Sequence, residues 1–142
     1  MTRTIERRLE FAAPPERVWQ AIADPVEIAR WFGDRAELDL RPGGAGRFSW
    51  DNHGDFAVRV EVVEPPYRLS WRWAQKPGTA IEEGVSTLVE WTLAKRADGG
   101  TILELRESGF VAEEHYEGNT TGWTSELGEL EALLSTPPSI SD

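Results

Sequence analysis

The chain has 142 residues, no cysteine, and 25 acidic against 15 basic side chains, for a formal charge of -10. That length makes one domain, able to bury roughly 70% of the surface its unfolded chain exposes. Its composition excludes disulfides, thiol catalysis and cysteine-ligated metal. The charge is unevenly spread. Between Glu107 and Asp142 there are eight acidic residues and no Lys or Arg, while the preceding 106 hold 17 acidic and 15 basic. An acidic C-terminal third repels phosphate, so neither nucleic acid nor an anionic membrane surface is expected as a partner.

The chain opens on "MTRTIERRLEF", which lacks the apolar core of a secretion signal, and no later run is long enough to span a bilayer. A cytoplasmic location, without membrane insertion, is the default expectation. Ile5, Leu9 and Phe11 alternate with Glu6, Arg8 and Glu10, a half-buried strand whose inward set is broken by Arg7. "APPERVWQAIADP" follows: prolines suit a first helical turn, and Val18, Trp19 and Ile22 share a helical face. Asp24-Pro25 ends that helix, and a second short one is expected from Pro25 to about Trp31.

From "RAELDL" the period becomes two. "AGRFSW" rises from the turn "RPGG", and "DNHGD" turns into "FAVRVEVVEPP", whose Phe56, Val58, Val60 and Val62 share a face. Leu69, Trp71 and Trp73 align next, then Val85, Thr87, Val89, Trp91 and Leu93. The hairpin loop "KRADGG" leads into "TILELRESGF". These make seven strands, most with short connections, hence an antiparallel meander. The last element is helical. Tyr116, Asn119 or Thr120, Trp123, Leu127, Leu130 and Leu134 recur at three-to-four spacing, with Glu117, Glu126, Glu129 and Glu131 elsewhere on the wheel. Gly118, Gly122 and Gly128 suit a kink or a close approach of this helix to the sheet. Residues 1–134 make the domain, and 135–142, "STPPSISD", read as a disordered tail.

Within "LELRESGF", parity puts Glu107 on the same face as Leu103 and Leu105. A twist just before Gly109 would instead deliver it to solvent. Facing inward, it needs a partner or a raised pKa, because an unpaired buried carboxylate is costly. Ten aromatic residues fall on inward faces or adjoining turns, more than a core facing one helix absorbs. At least half of them are packing, and the remainder would line a cavity. His53 reads as a surface turn residue and His115 as part of a solvated helix face. With no second histidine near either, no metal is expected. "RPGGAG" lacks phosphate-loop spacing and is a turn; Ser108 has no evident base.

The order of "APPERVWQAIADP", "WF", "DLRPGGAGRF", "VVEPPYRLSWRW", "GTILELRESGF" and "TGW…L..L" resembles the helix-grip superfamily, also called START-type, birch-pollen-allergen-like or SRPBCC. Its branch named after the C-terminal domain of the heat-shock protein 90 ATPase activator is the nearest in pattern, over residues 3 to 134. The resemblance implies an α+β helix-grip fold. A curved seven-stranded antiparallel sheet wraps a long C-terminal helix, and two short helices follow the first strand. It also implies an apolar cavity between sheet and helix, with a polar group two residues before the Gly-Phe, here Glu107.

The candidate ligand-binding residues are Trp31, Phe48, Trp50, Phe56, Trp71, Trp73, Trp91, Glu107, Phe110, Asn119, Trp123 and Leu127. The function expected first is binding of an apolar or aromatic small molecule, lipid- or polyketide-like, without a cofactor. Second stands a cyclase, dehydratase or isomerase with Glu107 as acid/base, aided by Asn119 or Tyr116. Third stands a co-chaperone-like activator of the heat-shock protein 90 ATPase. Whether the chain is an enzyme, and whether it forms a homodimer, the sequence leaves open. The charge argument carries its own test: at physiological salt, heparin and duplex DNA should give no detectable binding signal. Salt-sensitive retention on DNA would contradict it.

Overall fold

The structure is a computed structural model that describes residues 3–135. Strand β1 (Thr4–Phe11) runs into two short helices, α1 (Pro15–Ala23) and α2 (Pro25–Ile28). Pro15 opens α1 and Pro25 opens α2, each where a missing N–H costs nothing, and Asp24 caps α2 by accepting from the Val26 N–H at 3.0 Å. α2 is shorter than its sequence pattern suggests. It stops at Ile28, and Trp31 and Phe32 follow in hydrogen-bonded turns.

Six strands then run as a meander: β2 (Arg35–Leu38), β3 (Ala45–Trp50), β4 (Gly54–Glu64), β5 (Arg68–Ala74), β6 (Ser86–Lys95) and β7 (Thr101–Ser108). The seven strands form one antiparallel sheet in the order β1-β7-β6-β5-β4-β3-β2. β1 and β2 therefore occupy opposite edges, and α1 and α2 carry the chain across. The long helix α3 (Glu113–Ser135) packs on the concave side with Trp123, Leu127 and Leu130 buried. Ser135 still belongs to α3; the rest of the expected tail lies outside the described residues.

Alternation holds along most strands, so the inward rows form a single core with α1, α2 and α3. β4 departs from it. A bulge between Val60 and Val62 shifts the register, pairing Val62 with Ser70 and Val63 with Leu69. Val63, not Val62, therefore packs on the core beside Val60. Another correction concerns α3. A Cβ on Gly118, Gly122 or Gly128 would meet no atom within 4 Å, so close approach to the sheet does not explain these glycines. Gly118 and Gly122 border a cavity instead.

It follows that Gly118→Ala and Gly122→Ala should each raise stability by about 0.5–1 kcal/mol, the helix-propensity difference with nothing to offset it. Chemical denaturation measures this. A loss of stability in either variant would mean that the helix sits closer to its surroundings than described.

Candidate functional site

A cavity of about 440 Å³ lies between α3 and one end of the sheet. The antiparallel register gathers its walls. Trp50 ends β3 opposite Gly54, Phe56 faces Phe48 near the start of β4, and Trp73 near the end of β5 pairs with Val58. Phe32 arrives on the turn after α2, and Trp123 closes the space from α3. These five rings touch one another. Phe32 stacks on Trp123 at 5.2 Å and 19°, and meets Trp50 edge-on at 5.1 Å; Trp50 meets Phe56 edge-on at 5.5 Å. The polar groups on the wall are His53, Gln75, Asn119, Thr121, Ser125 and Glu126.

Behind that wall sits Glu107, fully buried. Its register partners Ile5 and Val89 are both core residues, which fixes its inward direction. Among the described residues no cation accompanies it. The Arg7 guanidinium donates instead to the carbonyls of Glu6 and Thr120, at 3.1 and 3.4 Å. Three neutral donors converge on the carboxylate. Thr87 Oγ1–H reaches Oε2 at 2.5 Å, Trp123 Nε1–H reaches Oε1 at 2.7 Å, and Asn119 Nδ2 reaches both oxygens at 3.0 and 3.2 Å. Gln75 completes the network by donating to Thr87 Oγ1 at 3.1 Å and accepting from Asn119 at 3.0 Å. Burial pushes the Glu107 carboxyl above the ordinary glutamate range, against the downward pull of the Thr87, Trp123 and Asn119 bonds.

Glu126 is the second carboxylate of the site, and its position departs from expectation. Instead of lying with the solvent-facing glutamates it is half-buried on the cavity wall, accepting the Gly33 N–H at 3.1 Å. Gly33 is held at φ 78°, where a Cβ would come within 2.9 Å of the Ser49 carbonyl, so the "WFGD" turn needs glycine there. Desolvation raises the Glu126 carboxyl, the Gly33 bond opposes this, and Glu129 and Asp34 add to the rise. The three-residue step from Trp123 to Glu126 was the signal for it, since i and i+3 share a helix face.

Of the residues singled out from sequence, Trp50, Phe56, Trp73, Asn119 and Trp123 lie on the cavity wall. Trp31, Phe48, Trp71, Trp91, Phe110 and Leu127 lie in the packed core, and Glu107 lies one layer back from the cavity. Trp31 has a structural post, donating its Nε1–H to the Ala21 carbonyl at 2.7 Å. The buried indole nitrogens of Trp71, Trp73 and Trp91 have no hydrogen-bond partner among the described residues. His53 is exposed, as a turn residue should be, yet it rims the cavity. His115 is only half-exposed, with Nδ1 buried and without a partner, so its helix face is not fully solvated. Among the described residues no cluster of His, Asp and Glu could hold a metal ion, and no helix is long and apolar enough to cross a membrane.

The family model described as "Activator of Hsp90 ATPase homolog 1-like protein" matches residues 12–135. The chain belongs to that family. Solved structures extend the likeness. MLL2253 from Mesorhizobium loti is 28% identical, with a TM-score of 0.83 over 96% of this chain and 99% of its own. CalU16 from Micromonospora echinospora is 31% identical, with a TM-score of 0.74 over 96% of this chain and 78% of its own. DynU16, described as a protein in the dynemicin biosynthetic locus, is 28% identical with a TM-score of 0.79. This chain is covered to 94% in that match but spans only 47% of DynU16. No curated protein sequence matches. The helix-grip architecture is thus that of the Activator of Hsp90 ATPase homolog 1-like family.

In this family member, the donors gathered around Glu107 decide what its removal would do. Here Leu would strand the donors of Thr87, Asn119 and Trp123, so Glu107→Leu should destabilise by about 3–5 kcal/mol. Glu107→Gln tests the charge alone. Because folding favours the protonated carboxyl, the stability it contributes is fullest below the free-glutamate pKa of about 4.3 and declines as pH rises through the raised folded value. Melting temperatures of Glu107→Gln and wild type should therefore draw level near the acid end and separate in favour of Gln toward neutrality. Parallel curves would refute a titrating Glu107.

Proposed function

We propose that this chain binds an apolar, aromatic small molecule, lipid- or polyketide-like, in the cavity between the sheet and α3. The observation that carries the reading is the wall itself. Five contiguous aromatic rings supply apolar surface, and a few polar groups, Gln75, Asn119 and Glu126 among them, offer orientation, which is the usual composition of a small-molecule site. Its volume suits a ligand of drug-like size. Gly118 and Gly122 support the reading, because they weaken α3 and are repaid by no packing contact; what their missing side chains provide is space. The likeness to DynU16, a protein in a biosynthetic locus, is consistent with small-molecule chemistry nearby.

Acid/base catalysis by Glu107 ranks second. One observation favours it: Asn119 touches both the carboxylate and the cavity. Against it, Glu107 is occluded, and a proton would have to pass the Asn119 amide or the Trp123 indole. Co-chaperone action ranks third. The large exposed apolar residues among those described, Val26, Tyr67 and Val111, sit on α2, the β4–β5 turn and the β7–α3 connection, and mark no single element as a docking face.

Native mass spectrometry of the protein purified from its own host, beside titration with the neutral aromatic dye Nile red, tests the binding reading. Wild type should carry a small molecule or take up the dye. Gly122→Phe, whose Cβ would meet open space on the cavity wall, should come through folded and empty. Equal dye uptake by folded wild type and Gly122→Phe would place the binding elsewhere and sink the proposal.

A further inference from the structure

We infer that the cavity selects a cationic ligand: a protonated amine carried on an apolar, aromatic body. This rests on the binding reading above and adds the charge of what is bound. Among the described residues the ionisable side chains on the wall are His53 and Glu126; no Lys or Arg lines it. An anionic ligand, such as a fatty acid or a phosphate ester, would find no fixed cation to pair with. It would meet Glu126, with Asp34 and Glu129 close enough to act on the same carboxyl. Asn119 adds to the bias. Its Nδ2 is committed to Glu107 and Gln75, while its Oδ1 accepts no hydrogen bond from the described residues. The wall therefore offers a carboxylate and an amide oxygen, both groups that receive a donor.

The rings point the same way. Aromatic faces carry a negative quadrupole that attracts a desolvated cation, most strongly for Trp, and three of the five rings on the wall are indoles. A carboxylate beside Trp50 and Phe56, the two rings of the wall left partly exposed, is an arrangement that holds an ammonium group by charge and by quadrupole together. The overall charge of -10 adds long-range attraction for a cation and repulsion for an anion.

Three probes with one apolar body isolate the charge: naphthylmethylamine, naphthalenemethanol and naphthoate, each titrated into the full chain by calorimetry at neutral pH and low salt. The amine should bind about tenfold tighter than the alcohol, and naphthoate should bind more weakly than either. Glu126→Gln, which keeps an acceptor for Gly33, should bring the amine down to the level of the alcohol and leave the alcohol unchanged. Trp50→Leu should weaken the amine more than the alcohol. If all three probes bind equally, or naphthoate binds best, the cavity binds aromatic molecules but charge selection is wrong. If the amine keeps its advantage in Glu126→Gln, the assigned carboxylate is wrong and the inference falls with it. If no probe gives heat and Nile red also fails, the binding reading itself is lost, and this inference goes with it.

Discussion

Burying a carboxylate with no cation beside it is costly in proportion to how completely water is removed, and Glu107 is removed from water entirely. The register of β7 between β1 and β6 gives it no choice of direction. What makes the position tolerable is a set of neutral donors drawn from separate elements. Thr87 comes from β6, Gln75 from the end of β5, and Asn119 and Trp123 from α3. Asn119 and Trp123 are one helical turn apart, so the requirement that both reach one carboxylate fixes the rotation of α3 about its own axis. That rotation in turn puts Gly118, Gly122 and Glu126 where they border the cavity.

Trp123 therefore works on two sides. Its N–H satisfies the buried carboxylate, and its ring stacks on Phe32 and forms part of the cavity wall. The polar network and the cavity are separated by little more than that indole and the Asn119 amide. A change of charge behind the wall would be felt in front of it through the same two side chains. The core on the other side is dry and aromatic, with Trp71 and Trp91 packed edge to face at 6.1 Å and their N–H groups unpaired. Each unpaired N–H carries a desolvation cost, set against the large apolar area that its indole buries.

Much of this was legible in the sequence. The seven strands, the two proline-opened helices and the inward parity of Glu107 all follow from period and punctuation. What escaped has identifiable causes. The bulge in β4 is one inserted residue in an unbroken valine-rich run, and alternation alone cannot say that Val63 replaces Val62 on the core face. Parity assigns a face but not a position along the strand relative to α3. That is why Trp73 at the cavity and Trp71 in the core, two residues apart on one strand, looked alike. Glu126 was hidden by its company, since a glutamate among glutamates on an acidic helix reads as solvated. The donors around Glu107 come from two other elements, β6 and α3, which no local pattern records.

The pairing of β1 with β7 sets the order in which the fold can be completed. The first strand of the sheet along the chain has its partner in the last, Thr4 against Ser108 and Phe11 against Thr101. Strands β2 to β7 need only their immediate neighbours and can assemble as a ladder of hairpins while β1 waits. Closing the β1–β7 contact brings together the most widely separated segments of the sheet, and its loop entropy must be met before any of its contacts form. Until it closes, the backbone groups along the outer side of β7 face water, and Glu107 lacks the strand that completes its burial. The donors of Glu107 itself come from β6 and α3, so its hydrogen-bond shell does not depend on β1, whereas the edge of β7 does.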